Sequence, residues 1–153
     1  MPIASVVGNN YKMNIAELHN KLIENGIPVE KYYLHGIYGS SDDNEKYCMV
    51  IRRGKYYIEY ETYYKERGEK SSIFTFTNED EACNYFYTWI NDSWIFEKIQ
   101  KIDGLRAMTV NERLYHIGLI DEFDSIKKND KERARKILRW LIVDEPSIDL
   151  ILK

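Results

Sequence analysis

The sequence predicts an α+β fold: an N-terminal helix, a three- to four-stranded antiparallel sheet packed by a long helix, and a C-terminal helical hairpin. Apolar residues recur at helical spacing between Asn14 and Asn25 and again after Asn78. Between them, in residues 32–77, the period changes to that of strands, with a clear two-residue alternation at residues 56–64. After residue 104 the pattern is helical again, so we expect an α+β sheet domain at residues 1–104. The appended hairpin, residues 105–153, is expected to pack with it as one unit.

The first helix has recognisable ends. Asn14 is a good N-cap residue, and Glu17 follows it at the third position. Gly26 stands where a helix ends in a left-handed residue, and Pro28 comes shortly after it.

The sheet is predicted from three runs joined by short turns. Residues 47–51 form an apolar run of strand length, and residues 53–55 (Arg-Gly-Lys) form a turn. Residues 56–64 then alternate between two faces. One face has Tyr56, Ile58, Tyr60, Thr62 and Tyr64, and the other has Tyr57, Glu59, Glu61 and Tyr63. A second turn at residues 67–70 leads to a third strand at residues 71–77, and residues 37–38 could add a fourth.

The helical segments follow from caps and apolar stripes. Asn78 caps a long helix with acids in its first turn, which we expect to end near Gly104. Thr109 and Glu112 have the spacing of a capping box. We expect Arg113 and Asp124 to form an internal ion pair.

Composition excludes several classes of protein. With 44% hydrophobic and 31% charged residues, the chain has ordinary globular composition rather than that of a disordered segment. Two cysteines make no disulfide framework, and no apolar run has the ~20 residues that a transmembrane helix needs. Residues 1–13 lack the features of a secretory signal. We therefore expect a cytoplasmic protein with no membrane partner.

Charge and chemistry favour binding over catalysis. The net charge of −3 does not suit direct nucleic-acid binding. The sequence has no nucleophile elbow, phosphate loop or paired histidines, so we expect no catalytic residues, no metal site and no cofactor. The acidic loop at residues 42–45 could hold Ca²⁺, but it lacks the EF-hand ladder of ligands. Cys48 is expected to be buried, whereas the position of Cys83 near a helix start could lower its pKa, against the effect of nearby acids.

Two segments resemble known patterns. Residues 55–70 (KYYIEYETYYKERGEK) and 73–86 (IFTFTNEDEACNYF) form an aromatic-rich strand with an acidic-Arg-Gly turn, followed by an acidic-Ala-Cys run that opens a helix. This pattern resembles small bacterial immunity proteins encoded beside polymorphic or contact-dependent growth inhibition toxins. Residues 108–124 (MTVNERLYHIGLIDEFD) look like the C-terminal tail of many such proteins. The resemblance implies a neutraliser of one cognate toxin C-terminal domain, with no catalysis of its own.

The resemblance leads to a hypothesis about the interface. Nuclease toxins carry basic clefts. Acidic residues of an inhibitor can speed its association with such a cleft, and its tyrosines can anchor the complex. The expected toxin-contacting residues are Asp42, Asp43, Glu45, Tyr57, Glu59, Glu61 and Tyr63. The hairpin at residues 105–153 could instead carry the interface or form a homodimer seam. The alternatives are a small enzyme that uses Glu59 and Glu61 as paired carboxylates, and an adaptor that binds another protein.

Overall fold

The computed structural model describes residues 12–153. Residues 1–11 lie outside the described residues. They make up most of residues 1–13, in which the sequence shows none of the features of a secretory signal. The described chain has six α-helices: α1 (Ile15–Glu24), α2 (Glu79–Gln100), α3 (Val110–His116), α4 (Phe123–Asn129), α5 (Lys131–Trp140) and α6 (Glu145–Ile151). It has five strands: β1 (Tyr32–Leu34), β2 (Tyr38–Gly39), β3 (Lys46–Arg53), β4 (Ile58–Glu66) and β5 (Glu69–Phe76). The α+β class is confirmed.

The described residues form two compact units. One contains residues 12–91 with the sheet, and the other contains residues 92–153. The division falls inside α2, whereas the sequence suggested a limit at residue 104, where the helical stripe ends. A single long helix thus contributes its first half to one unit and its second half to the other.

The sheet differs from the prediction of a purely antiparallel sheet with three or four strands. It has five strands in the order β2-β1-β3-β4-β5. β1 is antiparallel to β2 but parallel to β3, whereas β3, β4 and β5 form the expected antiparallel meander. The parallel pair arises because the chain forms the short β1–β2 hairpin and then returns through residues 40–45 to the other side of β1. β2 lies at the possible fourth strand that the sequence placed at residues 37–38, whereas β1 was not predicted. With three and two residues, β1 and β2 are too short for a readable alternation.

Two helices cover one face of this sheet. In α1, the ring of His19 stacks on Tyr38 with ring centres 4.8 Å apart, and its Nδ1 lies 3.0 Å from the Tyr32 hydroxyl. In α2, Tyr85 packs edge-to-face on Phe74 at 5.3 Å. The predicted caps are confirmed at both helices, since the Asn14 side chain accepts from the Glu17 N–H and the Asn78 side chain accepts from the Glu81 N–H.

A bulge in β5 determines which face its first residues occupy. The Arg67–Gly68 turn has φ of 52° and 81°, typical of a type I′ hairpin turn. Tyr64 pairs with Ser71 whereas Thr62 pairs with Phe74, so one extra residue of β5 lies between these pairs, and Ser72 has φ of 52°. Without the extra residue, Lys70 would share a face with Phe74. With it, Lys70 lies on the face opposite the helices.

The C-terminal segment is not the predicted hairpin but four short helices around an apolar core. Its buried residues include Leu114, Ile137, Leu138, Leu141 and Ile148. The predicted capping box at Thr109 and Glu112 is confirmed. The chain breaks between α4 and α5 at Asp130, which caps α5 through the Arg133 N–H, and α3 and α6 add two helices to the pair that the sequence predicted.

Arg113 has a different role from the ion pair suggested by the sequence. Its guanidinium donates to the carbonyls of Leu141 and Ile142, at 2.9 and 3.2 Å, and to two carbonyls before α3. Asp124 instead lies 4.0 Å from Lys127, one turn further along α4. Arg113 therefore fastens α3 to the end of α5.

Candidate binding surface

The side of the sheet opposite α1 and α2 carries most of the predicted interface residues. The register of β3 and β4 sets Cys48 opposite Tyr63, Val50 opposite Glu61 and Arg52 opposite Glu59. Residues directly opposite one another in an antiparallel pair share a face. We call this side the polar face and define it by Cys48, Val50, Arg52, Glu59, Glu61, Tyr63, Lys65 and Lys70. The predicted alternation of Glu59, Glu61 and Tyr63 is thus reproduced.

A ladder of alternating charges crosses three strands of the polar face. Arg52 Nε lies 3.2 Å from Glu59 Oε1, and Arg52 Nη1 lies 3.3 Å from Glu61 Oε2. Lys70 Nζ lies 2.8 Å from Glu61 Oε1. Glu61 is only 5% exposed, so each of its carboxylate oxygens meets a cation rather than bulk water. The β5 bulge makes this arrangement possible because it brings Lys70 to this face.

Tyr63 and Asp43 form a second cluster on the same face. Tyr63 is 2% exposed, and its hydroxyl donates to Asp43 Oδ2 at 2.8 Å. Lys65 donates to the other oxygen of Asp43 at 3.1 Å, and the Lys70 ammonium lies 4.3 Å from the centre of the Tyr63 ring.

The surroundings of this cluster change the pKa of both acidic groups. Burial raises the pKa of Tyr63, and its hydrogen bond to Asp43 raises it further. Burial alone would raise the pKa of Asp43, but the hydrogen bonds from Tyr63 and Lys65 outweigh that effect and lower it. At neutral pH the pair is therefore a neutral phenol donating to a carboxylate.

The loop before β3 places the remaining acids at the rim of the face. Asp42 is exposed, and its Oδ1 accepts from the Asn44 N–H at 2.9 Å and from Lys46 at 3.1 Å. These contacts lower the pKa of Asp42. Glu45 is also exposed and accepts from the Arg67 N–H at 2.7 Å, so its carboxylate holds the β4–β5 turn. The loop is thus ordered by its own acids.

Four of the five predicted acids on and around the polar face are compensated within the chain. Asp42, Asp43, Glu59 and Glu61 pair with Lys46, Lys65, Arg52 and Lys70, which leaves no net formal charge on this set. The sequence suggested an acidic surface because Asp42, Asp43 and Glu45 lie close together along the chain, whereas the cations that pair with the four compensated acids come from β3, β4 and β5.

Tyr57 lies apart from the other predicted residues. It precedes β4 in the β3–β4 connection and is 66% exposed. Tyr56, expected on the same strand face as Ile58 and Tyr60, is 77% exposed, and Ile58 is half-exposed. The alternation in the sequence predicts a strand from Tyr56, but β4 begins only at Ile58. The Arg-Gly-Lys turn directly before Tyr56 was the available signal that these side chains belong to a loop.

Both cysteines are fully buried. Burial raises the pKa of the Cys48 thiol to about 12, and the charge of Asp43 adds to the effect. Burial also raises the pKa of Cys83, and the carboxylates of Glu79 and Asp80 raise it further. The effect of these acids therefore outweighs the lowering of the pKa that a helix start can cause. Both are thiols at neutral pH.

The described residues offer no metal site or membrane-spanning helix in addition to the polar face and its rim. Within residues 12–153, no group of three or more His, Cys, Asp or Glu side chains is arranged to hold a metal ion. No helix in this range is both long and apolar enough to cross a membrane. Comparison with protein-family models, curated proteins and solved structures gives no significant match to the chain.

Proposed function

We propose that this chain is an immunity protein that binds the C-terminal domain of a cognate bacterial toxin in the cytoplasm and neutralises it by occlusion. The toxin we expect is a nuclease. Two things support the proposal: the resemblance of residues 55–86 to immunity proteins, and the polar face with its acidic rim. The charge ladder from Glu59 through Arg52 and Glu61 to Lys70 is the observation that carries it.

The ladder fits protein recognition because its side chains are already fixed. A carboxylate held by two cations loses little further freedom when a partner docks, which reduces the entropic cost of binding. Arg52 and Lys70 remain half-exposed, so each can reach a partner carboxylate while still holding Glu61. The face therefore suits a partner that presents both signs of charge.

The predicted residues divide into two roles under this proposal. Asp42 and Glu45 are exposed at the rim and can contact basic groups of the toxin directly. Glu61 and Tyr63 are buried and contribute by positioning their cationic neighbours. Glu59 belongs with the positioning residues through its ion pair with Arg52, which also contacts Glu61.

Co-expression tests the proposal. The toxin domain encoded by the gene immediately upstream is expressed with and without the chain, and survival is scored. We expect survival only when the chain is present, together with a stable complex on size exclusion. Death of the cells despite expression of the folded chain, or the lack of a complex, would contradict the proposal.

A pair of charge-matched variants tests the role of the rim. Asp42→Asn/Glu45→Gln and the control Asp121→Asn/Glu122→Gln each remove two exposed negative charges. For a basic toxin cleft, we expect the rim variant to lower the association rate about tenfold at low salt and much less at high salt. The control should stay close to the wild type. Equal rates for the two variants would mean that only overall charge matters and that the rim is not the contact.

A further inference from the structure

The connection between β3 and β4 carries an exposed aromatic and basic cluster that the fold does not use. We define the hairpin tip as residues 53–58, Arg-Gly-Lys-Tyr-Tyr-Ile. Tyr56 and Tyr57 are 77% and 66% exposed, so neither side chain contributes a packed surface to the core. Adjacent exposed aromatic residues of this kind are typical of interaction sites rather than of ordinary protein surface.

The tip is held in one shape by its neighbours. Arg53 pairs with Ile58 at the end of the β3–β4 ladder, and the Gly54 N–H donates to the Tyr57 carbonyl at 2.8 Å. A Cβ at Gly54 would lie 2.6 Å from Cδ of Glu59, so the side chain of Glu59 folds tightly over this glycine. The rings of Tyr56 and Tyr57 meet edge-to-face at 6.5 Å. Tyrosine side chains present a large contact area at low entropic cost.

The charges of the tip indicate the kind of partner. Arg53 makes no ion pair with any described carboxylate, and the Lys55 ammonium lies 5.2 Å from the ring centre of Tyr56. These two cations therefore remain available, in contrast to the compensated charges of the polar face. Tyrosine and arginine together are the residues that most often anchor protein interfaces.

We infer that the hairpin tip inserts into an acidic pocket on the protein partner, with Tyr56 and Tyr57 as anchors and Arg53 and Lys55 as the charged contacts. The inference rests on the proposed function, because it takes the toxin domain as that partner. A folded protein is favoured over a single-stranded nucleic acid because nucleic acid needs an extended basic groove. The tip is instead a short connection at the end of a two-stranded ladder, and its neighbour Arg52 is already shared by two carboxylates.

The test measures binding of the purified toxin domain by calorimetry. We expect Tyr56→Ala/Tyr57→Ala to weaken binding about 100-fold, the loss typical of two anchoring aromatics. The matched control is Tyr115→Ala, whose side chain is 70% exposed in the other unit; it should change the affinity less than about threefold. Circular dichroism and thermal melting confirm that each variant is folded.

A second variant tests the charge of the pocket. Arg53→Glu/Lys55→Glu should weaken binding strongly at low salt and reverse the salt dependence, because salt screens attraction to an acidic pocket in the wild type and repulsion from it in the variant. Lys128→Glu, an exposed change in α4, is the control and should keep the wild-type salt dependence.

The outcomes separate this inference from the proposed function. If the wild type binds the toxin domain and both tip variants bind equally well, the inference is wrong while the immunity function stands. If the wild type neither binds nor neutralises the toxin domain, both are wrong. Binding of a 20-nucleotide single-stranded DNA by the wild type, lost in Arg53→Glu/Lys55→Glu, would replace the protein partner with nucleic acid.

Discussion

Helix α5 ends with an isoleucine in a conformation that favours glycine. The Val143 N–H donates to the Leu138 carbonyl and the Ile142 N–H donates to the Arg139 carbonyl, both at 3.0 Å, which is the hydrogen-bond pattern of a Schellman motif. Ile142 has φ of +61°. A residue with a Cβ loses about 1–2 kcal/mol in this left-handed region, and β-branching makes the contact with the backbone worse. Position 142 is therefore strained.

Two substitutions at position 142 separate the strain from the packing of the side chain. Ile142→Ala and Ile142→Gly both remove most of the side chain, but only glycine also removes the Cβ. We expect the glycine variant to be more stable than the alanine variant by about 1 kcal/mol. At ordinary helical positions the order is the reverse, with glycine about 1 kcal/mol less stable than alanine.

The stability of each variant relative to the wild type depends on how much of the Ile142 side chain is buried. Ile142 is 44% exposed, so truncation loses roughly half of the ~1.5–3 kcal/mol that full burial of such a side chain contributes. Relief of about 1–2 kcal/mol of backbone strain offsets this loss in the glycine variant. Ile142→Gly should therefore match the wild type or exceed it by up to about 1 kcal/mol, whereas Ile142→Ala should be less stable by about 1 kcal/mol.

The assay is urea unfolding followed by far-ultraviolet circular dichroism and by tryptophan fluorescence. Gly118 provides the control within the same unit, because it ends α3 with the same pair of bonds and φ of 74°. Gly118→Ala should lower the free energy of unfolding by about 1 kcal/mol. An alanine at position 142 that is as stable as glycine would refute the reasoning, since the left-handed backbone would then carry no energetic cost.

Three further predictions follow from buried contacts. The folded state lowers the pKa of Asp43 below its ordinary value, so the unfolded chain binds a proton at higher pH than the folded chain does. The free energy of unfolding should therefore fall as the pH drops below about 5. Asp43→Asn should flatten this dependence in urea titrations at pH 3–7. Cys48 and Cys83 should resist a thiol reagent in the native protein and react only in denaturant, so that rapid labelling of either would contradict their burial. Arg113→Met should lower the free energy of unfolding by about 2–3 kcal/mol, because it leaves carbonyls at the end of α5 without their donor, whereas Arg106→Met should change it little.

The sequence by itself determined the local elements. Asn14 and Asn78 are residues whose side chains satisfy the first N–H groups of a helix, and both cap their helices as expected. Gly26 and Gly68 lie at positive φ, as their places after a helix and in a hairpin turn predicted. Such signals depend on a few neighbouring residues, so they can be read without knowledge of the rest of the chain.

Only the tertiary structure decided the pairing of β1 with β3 and the composition of the polar face. Lys70 reaches Glu61 because a bulge shifts β5 by one residue, and no alternation in the sequence marks that shift. The alternation in the sequence places Glu59 and Glu61 on one side of β4, as the structure does, but their neutralising cations lie on β3 and β5. Charge compensation depends on distances between strands, and such distances are fixed by register and packing rather than by the order of residues along one strand.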